Sequence, residues 1–280
     1  MNRRSFYRRA RTPLVLTATL TVAAALLAAT VAPASAGKGS SSQSRMPTVV
    51  LVHGAFADSS SWKGVVKRLM DEGFPVVAAA NPLRGLSSDA AYLKHILADI
   101  DGPVVLVGHS YGGAVISDAA VGADHVKALV YIAAFLPEKG ESATELAGKF
   151  PGSTLGEALL PVPITLPDGS QGTDLYIEES KFHDQFAADV PENTTDLMAV
   201  TQRPVTSAAL EEGASEPAWK TIPSWVLVAT EDRNIPSKLQ TFMAERAEAH
   251  TVQVRASHAV SVSRPDAVAR IIEDAARSTR

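Results

Sequence analysis

The segment from Gly108 to Gly112, with the sequence GHSYG, constrains the fold of this chain more than any other segment. It directly follows an apolar run at residues 103–107, and a helical pattern starts at Ala114. A serine between two glycines at this spacing predicts a strand, a tight turn and a helix, with Ser110 at the apex. Small residues are needed at both outer positions because larger side chains would collide around the strained serine backbone. This nucleophile elbow presents the Ser110 hydroxyl at the end of a strand.

Strand-like and helix-like segments alternate around this elbow. Short apolar runs predict strands at residues 48–52, 75–80, 103–107, 127–133, 224–229 and 251–254. Apolar residues at helical spacing predict helices at 60–70, 87–100, 237–249 and from 114 and 263 onward. Strands that alternate with helices pair in parallel and are covered on both faces. The sequence therefore predicts an α/β fold with a mostly parallel sheet of about six strands and helices on both faces.

The alternation stops between residues 137 and 223. Prolines, glycines and short helical patches at 180–190 and 192–201 replace it. An insertion of this length between two strands predicts a lid or cap over the strand ends. Its large apolar side chains are candidates for pocket walls and equally for the insertion's own core: Phe150, Leu159, Leu160, Tyr176, Phe182, Phe186, Leu197, Met198 and Trp219. A pocket with such walls suits small to medium apolar groups.

Residues 1–36 have the composition of an export signal. Five arginines precede a largely apolar stretch at 13–32, and the Ala-Ser-Ala sequence at 34–36 matches a cleavage site. We predict cleavage after Ala36, a flexible leader at 37–47 and a folded domain at 48–280. Arg3 and Arg4 resemble a twin-arginine signal, and the general secretory route stays open.

An uncleaved membrane anchor is the alternative for this stretch, because a membrane span requires ~20 apolar residues. We favour cleavage because a polar linker rich in glycine and serine follows Ala36 directly. The prediction is a secreted protein with no stable membrane anchoring after cleavage.

Composition excludes several classes of function. The chain has no cysteine, so it has neither disulfides nor a thiol nucleophile. Removal of residues 1–36, which hold five arginines and no acidic residue, changes the formal net charge from −4 to −9. An acidic protein without basic runs is a poor nucleic-acid binder, so no nucleic-acid partner is predicted.

A serine hydroxyl is a weak nucleophile, so Ser110 requires a base and a group that orients the base. Asp232 follows the predicted strand at 224–229, and His258 follows the strand at 251–254. The carboxyl ends of parallel strands share one edge, so these loops are expected to converge on the elbow. Glu231 is the weaker candidate for the acid because it is expected to point to the other side of its turn. Asp266 is explained instead as a cap of the last helix, in a capping box with Ser263.

The other histidines compete less well for the role of base. His109 lies inside the elbow and points away from Ser110, and the turn histidine His53 is expected to be structural. The remaining four are placed on an exposed helix face, before strands at the opposite sheet edge or in the insertion: His95, His125, His250 and His183.

An oxyanion formed at the elbow would need preorganised N–H donors. The backbone N–H groups of Tyr111 and Ala55 are the candidates, because Ala55 follows the first strand and Gly54 allows a close approach of the backbone. The chain has no zinc-protease motif, no P-loop and no dinucleotide fingerprint. We therefore predict no cofactor and no metal site.

Five segments of the sequence together resemble the α/β-hydrolase superfamily: VLVHGAF (50–56), SSW (60–62), GHSYGG (108–113), ATEDRNIP (229–236) and ASHAVSVSRPDAV (256–268). The branch is that of bacterial esterases and the plant methylesterase and hydroxynitrile lyase group. The resemblance implies Ser110, Asp232 and His258 as nucleophile, acid and base, and Ala55 and Tyr111 as oxyanion amides. Ala259 replaces a lysine of those lyases and Gly54 a threonine, which favours hydrolysis over cyanohydrin cleavage.

The leading hypothesis is a secreted serine esterase that cleaves small-molecule carboxylic esters through an acyl-enzyme. A cofactor-free perhydrolase or carbon–carbon lyase would use the same three residues. A third hypothesis is a ligand-binding protein with vestigial hydrolase activity.

Overall fold

The computed structural model describes residues 46–279. The predicted export signal, and all but the last two residues of the predicted leader, lie outside the described residues. In chain order the strands are β1 (Thr48–Val52), β2 (Val76–Ala79), β3 (Val104–His109), β4 (Val126–Ile132), β5 (Leu159–Thr165), β6 (Gln171–Ile177), β7 (Val205–Thr206), β8 (Ser224–Ala229) and β9 (His250–Val254).

The helices lie between and after these strands. They are α1 (Lys63–Asp71), α2 (Leu86–Ala98), α3 (Tyr111–Ala119), α4 (Ala143–Ala147), α5 (Leu155–Ala158), α6 (Glu179–Phe186), α7 (Glu192–Thr201), α8 (Ser207–Glu211), α9 (Ser237–Arg246), α10 (Val260–Ser263) and α11 (Pro265–Arg277), with 3-10 turns at Ser59–Trp62 and Ala218–Lys220. Between residues 46 and 279, none of the helices has the length and apolar character needed to cross a bilayer.

Six strands form the main sheet in the order β2-β1-β3-β4-β8-β9, and every neighbouring pair is parallel. This confirms the predicted parallel six-stranded sheet. The chain reverses its direction of winding between β1 and β3, which are neighbours although β2 lies between them in sequence. Ligands of open α/β sheets bind outside the carboxyl ends of the strands at such a switch point. The loop after β1 and the elbow after β3 meet at this position.

Alternate residues of each central strand face two separate cores. Val50, Leu106 and Tyr131 face the side on which α2, α3 and α9 pack. Leu51 and Val107 face the side covered by α1 and α11. Because successive strand side chains point to opposite faces, a strand buried on both faces must be apolar throughout. This requirement explains the uninterrupted apolar runs and confirms helices on both faces.

The segment between β4 and β8 contains secondary structure that the sequence analysis missed. β5, β6 and β7 form a separate antiparallel sheet. Pro161 and Pro163 lie in β5, an edge strand, where a residue without an N–H is tolerated. The turn between β5 and β6 contains Asp168 and Gly169, and Gly169 has a φ of 87°. The Pro-Asp-Gly sequence at 167–169 was the available turn signal.

The predicted capping box of the last helix is wrong. Ser263 is the final residue of α10, so its backbone is helical and not in the extended conformation that an N-cap needs. Arg264 is the N-cap of α11, without a side-chain cap, and Pro265 takes the first helical position. Asp266 instead pairs with Arg68 of α1.

Candidate active site

Ser110 occupies a strained turn between β3 and α3. Its backbone has a φ of 54° and a ψ of −125°, a conformation that non-glycine residues rarely adopt. A Cβ at Gly108 would lie 2.5 Å from Gly112 O, and one at Gly112 would lie 2.6 Å from Val52 O. Neither position has room for a side chain. The structure confirms the predicted strand–turn–helix elbow with Ser110 at its apex.

The two other predicted catalytic residues lie together after neighbouring strands. Asp232 follows β8, His258 follows β9, and His258 Nδ1 is 2.7 Å from Asp232 Oδ2. Both side chains are buried. When Nδ1–H donates to the carboxylate, Nε2 is the ring nitrogen that keeps a lone pair and can accept a proton.

Asp232 receives further hydrogen bonds that fix its orientation. Oδ1 accepts from the backbone N–H groups of Asn234 and Ile235, at 2.7 and 3.0 Å. Oδ2 accepts from Gln240 Nε2 at 2.9 Å, beside its bond to His258. These donors satisfy a carboxylate that has no access to water, which removes most of the penalty of burying it. Glu231, the weaker candidate for the acid, pairs instead with Arg255 at the surface.

The elbow contacts the loop of His258 through His109. His109 Nε2 donates to the His258 carbonyl oxygen at 2.9 Å, and the two ring centroids are 4.7 Å apart. Phe186, at the end of α6, covers the His258 ring edge-on at a centroid distance of 5.0 Å. Within residues 46–279, Ser110 Oγ and His258 Nε2 are not hydrogen-bonded to each other. The hydrogen bond between Asp232 and His258 is therefore formed, and the transfer of a proton from Ser110 to His258 belongs to the proposed function.

Burial lowers the pKa of two histidines near the elbow. Desolvation lowers the pKa of His109 well below its ordinary value, and the neighbouring His258 lowers it further. Desolvation also lowers the pKa of His53. His53 Nδ1 donates to Gly54 O at 2.9 Å, and Nε2 accepts from the N–H of Asn81 at 3.0 Å. His53 thus holds the loop after β1 and has no lone pair left for a substrate.

The remaining histidines are exposed or contact other parts of the protein. His95 is exposed on α2. His125 bonds to Leu97 O, His183 bonds to Thr195, and His250 stacks on Trp225.

The two predicted oxyanion amides, those of Ala55 and Tyr111, belong to residues that line the cavity of Ser110, and they have no acceptor among residues 46–279. Ala55 and Tyr111 line the same cavity as Ser110. Within the described residues, neither N–H donates to another group, whereas the next amide, that of Phe56, donates to Arg203 O. The N–H of Tyr111 is free because it is the first amide of α3, and the first four amides of a helix lack intrahelical acceptors. Two N–H groups beside a serine, without acceptors among the described residues, are the donors that an oxyanion hole requires.

The Tyr111 side chain fixes this end of α3. Its hydroxyl donates to Asp89 Oδ2 of α2 at 2.9 Å, inside the protein. Burial raises the pKa of Asp89 and also that of Tyr111, and the Asp89 charge raises the pKa of Tyr111 further. The Tyr111 hydroxyl therefore already donates its hydrogen bond to α2.

The cavity in front of Ser110 has a volume of ≈ 230 Å³ and mainly apolar walls. Of the nine wall candidates from the insertion, only Leu159 lines it. Phe182 and Phe186 are buried in the core, whereas Leu160 and Leu197 are exposed. The walls come largely from residues that the sequence analysis did not select: Phe56, Phe135, Ala143, Ala147, Leu155, Leu210 and Ile235. Phe135 was identifiable in principle, because it follows β4 at the sheet edge that carries Ser110.

Gln240 and Asn234 are further residues of the site that sequence reasoning missed. Gln240 bonds to Asp232, and its Oε1 accepts from the N–H of Ala229 at 3.0 Å. Asn234 lines the cavity two residues after the acid. Only closeness to Asp232 in sequence pointed to them, and that signal does not distinguish them from their neighbours.

Comparison with known proteins finds relatives that are named as hydrolases or esterases. A model of the alpha/beta hydrolase family matches residues 49–271. The chain is 27% identical over 254 residues to the alpha/beta hydrolase nvfD of Aspergillus novofumigatus, covering 82% of this chain and 96% of that protein. It is 34% identical over 117 residues to a carbendazim hydrolyzing esterase of Nocardioides, covering 37% and 48%. The crystal structure of polyneuridine aldehyde esterase matches with a TM-score of 0.72 at 18% identity, covering 82% of this chain and 99% of that chain.

Proposed function

The chain belongs to the alpha/beta hydrolase family, and we propose that it is a serine hydrolase that cleaves carboxylic esters of small to medium apolar substrates. The observation on which this proposal rests is the buried hydrogen bond between His258 and Asp232, at the sheet edge that carries Ser110. Relatives that are named as esterases support the ester as the bond that is cleaved.

In the proposed mechanism Ser110 Oγ attacks the ester carbonyl carbon and transfers its proton to His258 Nε2. Asp232 stabilises the imidazolium through Nδ1. The carbonyl oxygen becomes an oxyanion that accepts hydrogen bonds from the N–H groups of Ala55 and Tyr111. The C–O bond then breaks, His258 gives its proton to the leaving alkoxide, and an acyl-enzyme remains. Water, deprotonated by His258, releases the acid and restores Ser110.

The cavity limits the size of the substrate. Its ≈ 230 Å³ is below the range of roughly 300–1,000 Å³ that is typical of sites for drug-sized ligands. A short acyl or alkyl group fits, and the apolar walls favour hydrocarbon over charged groups. If the acyl group enters the cavity, turnover of p-nitrophenyl esters should decline as the acyl chain is lengthened beyond what the cavity holds, and if the alcohol group enters it, lengthening the alcohol should have that effect.

Labelling of the active serine tests the proposal. The full chain, its Ser110→Ala variant and the Ser180→Ala variant are treated with a fluorophosphonate probe and assayed with p-nitrophenyl butanoate. Ser180 is exposed on α6 and serves as the matched control. We expect labelling and turnover in the wild type and in Ser180→Ala, and neither in Ser110→Ala. Label or activity retained in Ser110→Ala contradicts the mechanism.

Export remains part of the proposal. Residues 1–36 support it by composition alone. N-terminal sequencing of protein recovered from the culture medium is expected to begin at Gly37. A chain that stays in the membrane fraction with residues 1–36 attached contradicts it.

A further inference from the structure

One of the polar side chains that line the cavity in front of Ser110 is buried and keeps a donor that has no partner among the described residues. Besides Ser110, its lining residues with side-chain oxygen or nitrogen are Tyr111, Thr144, Ser153 and Asn234. The Tyr111 hydroxyl donates to Asp89, and the Ser153 hydroxyl donates to the carbonyl oxygen of Asn234 at 2.9 Å. Thr144 is exposed. Among the described lining residues other than Ser110, Asn234 is the buried one whose side chain keeps a polar group, Nδ2, without a partner.

The hydrogen bonds of Gln185 determine which end of the Asn234 amide is free. Gln185 Nε2 donates to the carbonyl oxygen of Arg233 at 3.0 Å, so this atom is the nitrogen of the Gln185 amide. The same nitrogen donates to Asn234 at 2.7 Å, so the Asn234 atom that it meets is Oδ1. Gln185 Oε1 accepts from Thr154 Oγ1 at 2.8 Å, which is consistent with this orientation. The Nδ2 group of Asn234 must therefore point away from Gln185.

Asn234 Nδ2 donates to no described residue. It is also not one of the completely inaccessible side-chain atoms without a partner, so part of its surface is accessible. Asn234 is only 3% exposed and lines the cavity, so its accessible part faces the cavity. The backbone of Asn234 is held as well, because its N–H donates to Asp232 Oδ1 and its carbonyl oxygen accepts from Ser153. Because Asn234 is already held in one conformation, it loses little conformational entropy when Nδ2 donates to an acceptor.

We propose that Asn234 Nδ2 is a specificity determinant that donates a hydrogen bond to a substrate oxygen other than the reacting carbonyl oxygen. The preferred substrates are esters in which the group inside the cavity has an ether or second carbonyl oxygen. This inference rests on the proposed esterase function and specifies its substrate class. An all-hydrocarbon group in the same place leaves the Nδ2 donor unpaired in a largely apolar cavity, which is unfavourable.

Two pairs of esters that differ by one oxygen test the inference. p-Nitrophenyl butanoate and p-nitrophenyl methoxyacetate vary the acyl group, and butyl acetate and 2-methoxyethyl acetate vary the alcohol. For each pair the ratio of kcat/KM for the ether ester to that for the hydrocarbon ester is measured in the full chain. The variants are Asn234→Leu, Asn234→Asp and, as a control, Asn193→Leu, since Asn193 is exposed on α7. Comparing ratios between proteins cancels the intrinsic reactivity of each ester.

We expect the ratio for one pair to fall about three- to tenfold in Asn234→Leu, the range of a single neutral hydrogen bond. The pair that responds identifies whether the acyl or the alcohol group enters the cavity. Asn234→Asp keeps the acceptor for Gln185 and removes the donor, so it should show the same loss, and it serves as the test if the leucine variant does not fold. Asn193→Leu should keep the wild-type ratios.

Ratios within twofold of wild type for both pairs, in a folded and active Asn234 variant, overturn the inference and leave the esterase proposal intact. No turnover of any of the four esters by the wild-type chain overturns the esterase proposal and this inference with it.

Discussion

Gly54 lies against the nucleophile, so adding a single methyl group there should disturb catalysis. A Cβ at Gly54 would lie 2.6 Å from Ser110 Cβ, 2.8 Å from His109 O and 3.2 Å from Ser110 Oγ. Ordinary van der Waals contact starts at 3.4 Å, so the closest pair must separate by about 0.8 Å. Neither Ser110 Cβ nor a backbone oxygen can rotate away. Either the elbow or the loop that contains Ala55 must move.

Either movement misplaces a group of the proposed mechanism, since Ala55 provides an oxyanion amide and Ser110 the nucleophile. A misplacement of roughly 1 Å can reduce the rate about 100-fold, which corresponds to about 2.7 kcal/mol in the barrier. We therefore expect Gly54→Ala to lower kcat/KM for p-nitrophenyl butanoate by about two orders of magnitude. Gly54 is not among the glycines with positive φ, so the expected loss is steric.

The assay compares Gly54→Ala with Gly148→Ala, together with urea-unfolding midpoints of both. A Cβ at Gly148 would be 3.6 Å from its nearest neighbour, Glu145 O, which is an ordinary contact. The control should retain wild-type kcat/KM. A Gly54→Ala protein with kcat/KM within threefold of wild type would refute the argument, because it would show that the elbow and the loop after β1 do not constrain each other.

Three further predictions concern the acid, the loop after β1 and a buried carboxylate. Asp232→Asn should lower kcat about 10⁴-fold, because an amide cannot hold the imidazole in the required tautomer; a loss below tenfold would argue against Asp232 as the acid. His53→Ala leaves the buried Asn81 N–H and Gly54 O without partners, so the free energy of unfolding in urea should fall by about 2–4 kcal/mol, with exposed His95→Ala as the unaffected control. Burial raises the pKa of Asp118, so the folded state binds its proton more tightly than the unfolded state; the contribution of Asp118 to stability is present below its unfolded pKa and is lost as the pH rises through the folded pKa. As the pH is raised from 4 to 7, the free energy of unfolding of Asp118→Asn in urea should therefore increase relative to that of wild type. A decrease relative to wild type over this range would contradict the argument.

The sequence alone determined the main sheet and the elbow, because both follow from local rules. A strand buried on both faces needs an unbroken apolar run, and a serine in a left-handed turn needs small neighbours, as at Gly108 and Gly112. The pairing of His258 with Asp232 was also predictable, although 26 residues separate them. Parallel strands bring their carboxyl ends to one edge, so the position of each loop was known once the strands were.

Only the tertiary structure decided what surrounds these residues. The sequence could not indicate that Phe186 covers His258 while Leu197 faces solvent, because both are large apolar residues on short helices. It also could not indicate that Gln185 donates to Asn234 Oδ1, since that depends on a contact between residues 49 positions apart in the chain. Local periodicity encodes which face of an element is buried. The partner that buries it, and the direction of each polar group, depend on how distant elements pack.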